Sequence, residues 1–463
     1  MRAITLVRGL FVLTLITQHS LAADPGDRPN ILMIVADDLG YADLGSYGGR
    51  SAKTPSIDRL AAQGLSFSSA YANSAVCSPS RLALITGSYP GRHRAGLEEP
   101  IATRTDVGLA GATPNMARAF QIAGYHTTLV GKWHLGFPPA YSPLKVGYDR
   151  FFGIHAGGTD YFRHQFTLFG KDMGHLYEGD NIAEKSGYIT SLFTERAISE
   201  IDSARSAGKP FFMSLHYTSP HWPWEGPEDH DVVPESPQHF TGGSLDTYRD
   251  MVEDLDRAVG EILTHLDVSG IADNTIVVFG SDNGGERFSD NWPFIGMKAE
   301  LLEGGIRIPM IIRWPGHTPP GSSTSQVISW MDFYPTFASL LGFSQRVAPA
   351  IDGIDLSTVL TDPASAKERE LFWRHDGNHQ KALRQGDWKF LSLNGAEFLF
   401  NLAADPRERA NLAKVYPNRF AAMKARYNEW EKTMLPYPDD NYSHTLKGDK
   451  YAEHYQSLGQ QNN

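Results

Sequence analysis

The chain has 463 residues, with 42 Lys plus Arg against 53 Asp plus Glu and a formal net charge of −11. Apolar residues make up 41% and charged residues 21%, the balance of a globular protein that can bury a large core. With 44 Gly, 28 Pro and one Cys it is not collagen-like, disordered or disulfide-rich, and an acidic chain without a long Lys/Arg run is a poor candidate for binding nucleic acid or an anionic membrane.

In chain order, Arg2 and Arg8 precede an apolar run from Gly9 to Thr17, and Ser20-Leu21-Ala22 supplies small residues after it. Charge, apolar core and small-residue exit come in the order of a cleaved signal peptide, and the run is far short of the roughly 20 residues that span a bilayer. Residues 1–22 are therefore expected to be removed, the mature chain to begin near Ala23, and the protein to be exported to a periplasm or secreted. No later stretch reads as a membrane span.

Asn30–Ala36 is a continuous apolar run, as expected of a strand buried on both faces, and it leads directly into Asp37-Asp38. Helical spacing recurs over Thr54–Gly64 and Thr113–Ala123. Strands are expected over Gly124–Val130, Phe211–His216 and Thr275–Gly280, the last ending at Ser281-Asp282-Asn283, with Met310–Ile312 a further one. Between them, Tyr248, Val252, Leu255, Val259, Ile262 and Leu266 fall on one face of a helix. Strands alternating with helices predict an α/β fold with a large, mostly parallel sheet sandwiched by helices over residues 23–347. Beyond about Ala348 short segments separated by Gly, Asn and Asp predict a smaller antiparallel sheet. Phe420, Met423, Tyr427, Trp430 and Met434 follow behind Pro417 at helical spacing, completing an α+β unit over 348–435. Residues 436–463 form a polar, Tyr-rich tail.

Ligands of open α/β sheets bind outside the carboxyl ends of the strands. Two predicted strands end in adjacent oxygen ligands, Asp37-Asp38 and Asp282-Asn283. Alone, each pair reads as a solvated turn or helix cap; together they suit a hard cation, Ca²⁺ or Mg²⁺, better than zinc, since no Cys or His adjoins either pair. The single cysteine, Cys77, has no partner within the chain, although exported proteins usually pair theirs. It is an idle buried thiol, an intermolecular partner or a residue with a chemical task. Ser78 is the expected N-cap and Pro79 the expected first residue of a helix. Cys77 then lies at an anion-favouring helix terminus with Arg81 one turn on, where a lowered thiol pKa would permit thiolate catalysis.

Cys77-Ser-Pro-Ser-Arg81, followed by Leu-Ala-Leu-Ile-Thr86-Gly87, resembles the signature of type I sulfatases of the alkaline phosphatase-like superfamily. Asn30–Gly40 is similar to that family's first strand and Asp-Asp pair, and Gly131-Lys132-Trp133-His134 to its Gly-Lys-Trp-His block. Ser219-Pro220-His221 matches a His position, Ser281-Asp282-Asn283-Gly284 the second metal pair, and Lys298 through Glu303-Gly304-Gly305 the Lys-x4-Glu-Gly-Gly element. Leu399-Phe400-Asn401-Leu402 with Asp405-Pro406 resembles its last strand and turn. Ser88 departs from the Arg usual after Thr-Gly.

The resemblance implies that a formylglycine-generating enzyme oxidises Cys77 to 3-oxoalanine (formylglycine), whose hydrate attacks sulfur and later expels sulfate. It implies Asp37, Asp38, Cys77, Asp282 and Asn283 as metal ligands, and Arg81 holding residue 77 and the ligands in register. Lys132 and Lys298 would bind sulfate oxygens, His134 would accept the second hydroxyl's proton, and His221 would protonate the leaving alcohol. His216, His221, Trp222, Trp224 and His230 cluster in a Pro-rich stretch, where Trp faces would stack on sugar rings as readily as close the domain edge. A sulfated saccharide is therefore the first choice of substrate. The long Phe137–Tyr188 and Pro220–Gly243 segments are expected to wall the site, with His155, Asp160 and Arg163 as candidate contacts. The alternatives are an arylsulfatase of broad specificity, a phosphate or phosphonate ester hydrolase, and a non-catalytic saccharide binder. Of these, Cys at 77 and a complete set of charged residues favour the sulfatase.

Overall fold

The structure is a computed structural model and describes residues 28–168, 170–230, 242–343 and 351–444. The leader, the 347/348 boundary and the last part of the tail lie outside the described residues.

Five parallel strands form the centre of a ten-stranded sheet, in the order Thr275–Ser281, Asn30–Ala36, Phe211–His216, His126–Lys132, Arg150–Ile154. Each strand runs the same way, so every carboxyl end opens on one edge. The expected strand near Met310 is Met310–Arg313, and it lies antiparallel beside Thr275–Ser281. Strand direction depends on how the chain returns, which a short apolar run does not encode.

Period two governs the layering. Ile31, Met33 and Val35 share a core with Leu82, Ile85, Met116, Phe120, Phe333 and Phe337, from helices on one face. Leu32 and Ile34 pack on the other face with Ile57, Phe193, Ile201, Val252, Leu255 and Ile262. The helix over Leu245–Val268 buries all six residues of its predicted stripe. A second long helix there, Ile189–Ser206, has no counterpart among the elements expected from the sequence.

A four-stranded antiparallel meander follows, Glu370–His375, Gln380–Gln385, Trp388–Leu393 and Ala396–Asn401, with the helix Pro417–Glu431 on its face. Leu371, Leu383, Leu399, Met423, Tyr427 and Trp430 form its core, which is continuous with Tyr71, Ala83, Leu301 and Met331 of the main sheet's surroundings. Among the described residues no helix is long and apolar enough to cross a membrane.

Candidate active site

Because the five central strands are parallel, their carboxyl ends deliver Asp37-Asp38, Asp282-Asn283, Lys132 and His216 to one edge. Cys77 joins them from the start of a fully buried helix, Cys77–Thr86. The helix begins two residues earlier than the sequence indicates. Val76 is the N-cap and Cys77 itself the first helical residue, while the Ser78 hydroxyl accepts from the backbone N–H of Ile101 at 2.7 Å. Arg81 then sits one turn beyond Cys77, on the same face.

Around Cys77 Sγ lie Asp37 Oδ1 at 3.6 Å and Asp38 Oδ1 at 3.9 Å. Oxygens of Asp37, Asp38 and Asp282 and the thiol sulfur all lie within 4.8 Å of one another, every one buried. Asp38 reaches this position in a left-handed conformation, φ 63°, its N–H donating to Asp282 Oδ1. Burial, with Asp282 and Asp38 adding repulsion, pushes the Asp37 carboxyl up to about 8 against the pull of Lys132 and Arg81. Burial opposes ionisation of Asp38 as well, but Lys298 and Lys132 hold it below the usual carboxylate range. Asn283 donates to Asp38 Oδ1 at 2.7 Å, while its own Oδ1 is buried without a partner. Converging carboxylates and an orphaned amide oxygen form the all-oxygen donor set that suits a hard divalent cation.

Positive groups surround this set. Arg81 Nε and Nη2 both lie 2.9 Å from Asp282 Oδ2, and Nη1 donates to the Lys132 carbonyl. Lys132 Nζ is 2.6 Å from Asp37 Oδ2, and Lys298 Nζ 2.6 Å from Asp38 Oδ2. An ammonium has three N–H groups, so each lysine can hold a carboxylate and still offer donors to an anion. The cysteine behaves differently from the expectation of a lowered pKa. Burial pushes the Cys77 thiol well up despite Lys132 and Lys298, so the unmodified side chain is a poor thiolate nucleophile.

The two expected acid–base histidines are both present. His134 Nε2 lies 2.7 Å from the Ile101 carbonyl, which can only accept. The proton is therefore on Nε2, and Nδ1 is a bare acceptor, buried without a partner. Burial and then Lys132 hold the His134 pKa well below the ordinary histidine value. His221 lies beside the acidic cluster, with Nδ1 2.5 Å from the Trp222 carbonyl and Nε2 3.6 Å from Asp38 Oδ2.

Other expected contacts sort differently. His155 is buried under Phe151 and Tyr177 and offers nothing to a ligand. Asp160 caps its own loop, accepting from the N–H groups of Phe162 and Arg163, while Arg163 is exposed. Trp224 is buried against Phe288 and Tyr248, which makes it a core residue; Trp222 stacks on the His221 ring. His216 points Nδ1 at the Lys132 carbonyl, and His230 packs edge-on against Phe162. Within Pro220–Gly243, residues 231–241 lie outside the described residues. Two contributors went unread: Glu286, buried 3.4 Å from Lys298 Nζ, and the Ile101 carbonyl. Glu286 was legible four residues after Asp282; a backbone carbonyl leaves no sequence signal.

Residues 29–343 match the family model described as Sulfatase. The chain is 36% identical over 390 residues to N-acetylgalactosamine-6-sulfatase of Mus musculus, covering 80% of this chain and 73% of the relative. It is 32% identical to arylsulfatase A of Bos taurus, covering 90% of each. The crystal structure of Ps i-CgsB superposes with a TM-score of 0.80 at 30% identity, covering 92% of this chain and 98% of that one. The same protein in complex with k-i-k-neocarrahexaose gives 0.79 at 31% identity, with the same coverage. A parallel sheet whose carboxyl edge gathers Asp37, Asp38, Asp282 and Asn283 around Cys77, matched over most of its length by these relatives, places the chain in the sulfatase family, with the alkaline phosphatase-like fold.

Proposed function

We propose that this sulfatase releases inorganic sulfate from a sulfated saccharide, using residue 77 after conversion to formylglycine and a Ca²⁺ ion as its metal. The observation that carries this reading is the gathering of three buried carboxylates and Cys77 Sγ within 4.8 Å of one another, with Asn283 bonded to Asp38, its Oδ1 buried without a partner, and two lysines and an arginine around them. The raised thiol pKa supports a modified residue 77, because an aldehyde hydrate supplies the oxygen nucleophile that the buried thiol does not. Ca²⁺ fits better than Mg²⁺ because the donors are carboxylates and an amide in a site that does not need several waters. Asp37, Asp38, Asp282, Asn283 and residue 77 would hold the ion, which when bound neutralises charge on the sulfate and on the attacking oxygen.

The chain's own groups carry the rest. Lys132 and Lys298 place ammonium donors at the edge where the ester's sulfate enters. Arg81 ties Asp282 and Asp37 to the turn that presents residue 77. His134 Nδ1, neutral and unpartnered, is the acceptor for a proton leaving residue 77, and His221 is the donor to the departing alcohol. Saccharide substrates are supported by the relatives' names and by Trp222 beside His221, although Trp224 is a core residue. Export through residues 1–22, a periplasmic or extracellular location, maturation by a formylglycine-generating enzyme and division at residue 347/348 belong to the same reading.

The experiment is sulfate release by purified protein from defined sulfated mono- and oligosaccharides, an aryl sulfate and an aryl phosphate, with mass spectrometry of the peptide carrying residue 77. Turnover of sulfated saccharides by protein whose residue 77 has lost sulfur is expected. Release from aryl sulfates alone removes the saccharide reading; full activity with intact Cys77 removes the formylglycine reading.

A further inference from the structure

Backbone hydrogen bonds hold Lys298 in the loop that follows the strand Thr275–Ser281. Its N–H donates to the Gly285 carbonyl at 3.0 Å, and the next residue's N–H, that of Ala299, donates to the Ala75 carbonyl at 2.8 Å. Ala299 is left-handed, φ 69°, a conformation in which a Cβ is strained and which needs support from its surroundings. Two further peptide groups of this turn are taken by one side chain from the small sheet. Gln380 Nε2 donates to the Ala299 carbonyl at 2.8 Å, and Gln380 Oε1 accepts from the Leu301 N–H at 2.8 Å. Its second amide hydrogen has an acceptor in the Gly377 carbonyl at 3.0 Å. Gln380 is 2% exposed. It opens the Gln380–Gln385 strand, immediately after two left-handed residues, Asn378 and His379, at the hairpin tip.

We propose that Gln380 is a positioning residue for the reaction: its buried amide fixes the Ala299–Leu301 turn and so sets where Lys298 Nζ meets the ester's sulfate. The fit is specific to an amide. One peptide carbonyl and one peptide N–H two residues apart need a donor and an acceptor on the same short side chain, and both are desolvated. A carboxylate supplies only acceptors and an alkyl group neither. Through Gln380 the small sheet then takes part in the anion site. This inference rests on the proposed role of Lys298 in binding sulfate.

The test compares wild type, Gln380→Leu, Gln380→Glu and the pair Gln380→Leu with Ala299→Gly. The readouts are kcat and KM on an aryl sulfate, competitive inhibition by inorganic sulfate, melting temperature, and mass spectrometry of residue 77. Leaving two buried peptide groups unpaired is expected to weaken inhibition by sulfate and lower kcat/KM about ten- to hundredfold, with residue 77 modified as in wild type. Gln380→Glu at pH 8 keeps the shape and the acceptor for Leu301 and is expected to weaken sulfate in the same direction, so the result stands even where the Leu variant folds poorly. Glycine adopts the left-handed conformation without support, so Ala299→Gly is expected to restore part of the sulfate affinity lost in Gln380→Leu. An active wild type whose Gln380 variants keep its sulfate inhibition constant overturns the positioning role alone. A joint fall of affinity and melting temperature that glycine does not reverse overturns it as well. A wild type that releases sulfate from no ester removes the sulfatase reading and this inference with it.

Discussion

His134 shows how one backbone atom decides the chemistry of a side chain. The Ile101 carbonyl takes the Nε2 proton, and burial beside Lys132 keeps the ring neutral, so Nδ1 stays a proton acceptor even in mild acid. Replacement by Asn is expected to lower kcat about 10²- to 10⁴-fold with little change in KM. In wild type, the acid limb of kcat should not report His134 near the ordinary histidine pKa of about 6.5, because its folded value is depressed. A wild-type limb at that pH that disappears in His134→Asn would contradict the assignment. Asp282 is the corresponding case for charge. It answers Arg81, whose guanidinium is buried and also faces Asp37. Asp282→Ala is expected to cost most of the activity and, by stranding a buried cation, about 3–5 kcal/mol of stability in denaturant unfolding, whereas Asp282→Asn should cost less stability.

Strand ends made the site legible, and strand interiors made the fold legible. Continuous apolar runs such as Asn30–Ala36 and Thr275–Ser281 can only be buried on both faces, and the acidic pairs behind them mark the ligand edge. Elements whose pattern is diluted went unread. In Ile189–Ser206 the apolar stripe of Ile189, Phe193, Ala197 and Ile201 is interrupted by buried Thr190, Thr194 and Glu200. In Arg150–Ile154 the run is broken by Gly153, where a Cβ would stand 1.9 Å from the Gly131 carbonyl, so the sheet itself demands the residue that hides the strand. His155, at the end of that strand, looked like a ligand contact because it is a histidine near a loop. Its two nitrogens are buried without partners among Phe151, Tyr177 and Phe137, and burial pushes its pKa down to about 4. A depressed folded value means that the unfolded chain binds the proton first as pH falls. The contribution is intact above about 6.5 and is lost as pH drops toward 4, about 3 kcal/mol in all. His155→Phe should therefore flatten the fall of melting temperature between pH 7 and pH 4; an unchanged slope would show that other groups set the acid limit.

At the scale of the whole molecule, the last described segment ties the small sheet to the loop that serves His134. Glu99, 2% exposed, receives the Tyr437 hydroxyl at 2.5 Å, the Ser443 hydroxyl at 2.9 Å and the Asp376 N–H at 2.7 Å, and lies 3.2 Å from His375 Nδ1. Its backbone pairs with the same segment, Glu99 N–H to the Tyr442 carbonyl and His444 N–H to the Glu99 carbonyl. Two residues on, Ile101 gives its carbonyl to His134 and its N–H to Ser78, next to Cys77. A strap at the far end of the chain thus braces the loop between the nucleophile's helix and its proton acceptor. The core of the small sheet does not depend on it, because Met423, Tyr427 and Trp430 come from the preceding helix. Deleting residues 436–463 is therefore expected to leave the cooperative unfolding transition in place while lowering kcat about ten- to hundredfold, the scale of loss from small misplacements in an active site. Glu99→Gln should move kcat the same way by a smaller factor, since it keeps one acceptor oxygen and the backbone pairing. Sulfate inhibition should stay near wild type in both, because the lysines are held by other contacts. A truncation that lowers sulfate affinity as much as turnover would place the strap's effect on the anion site rather than on His134.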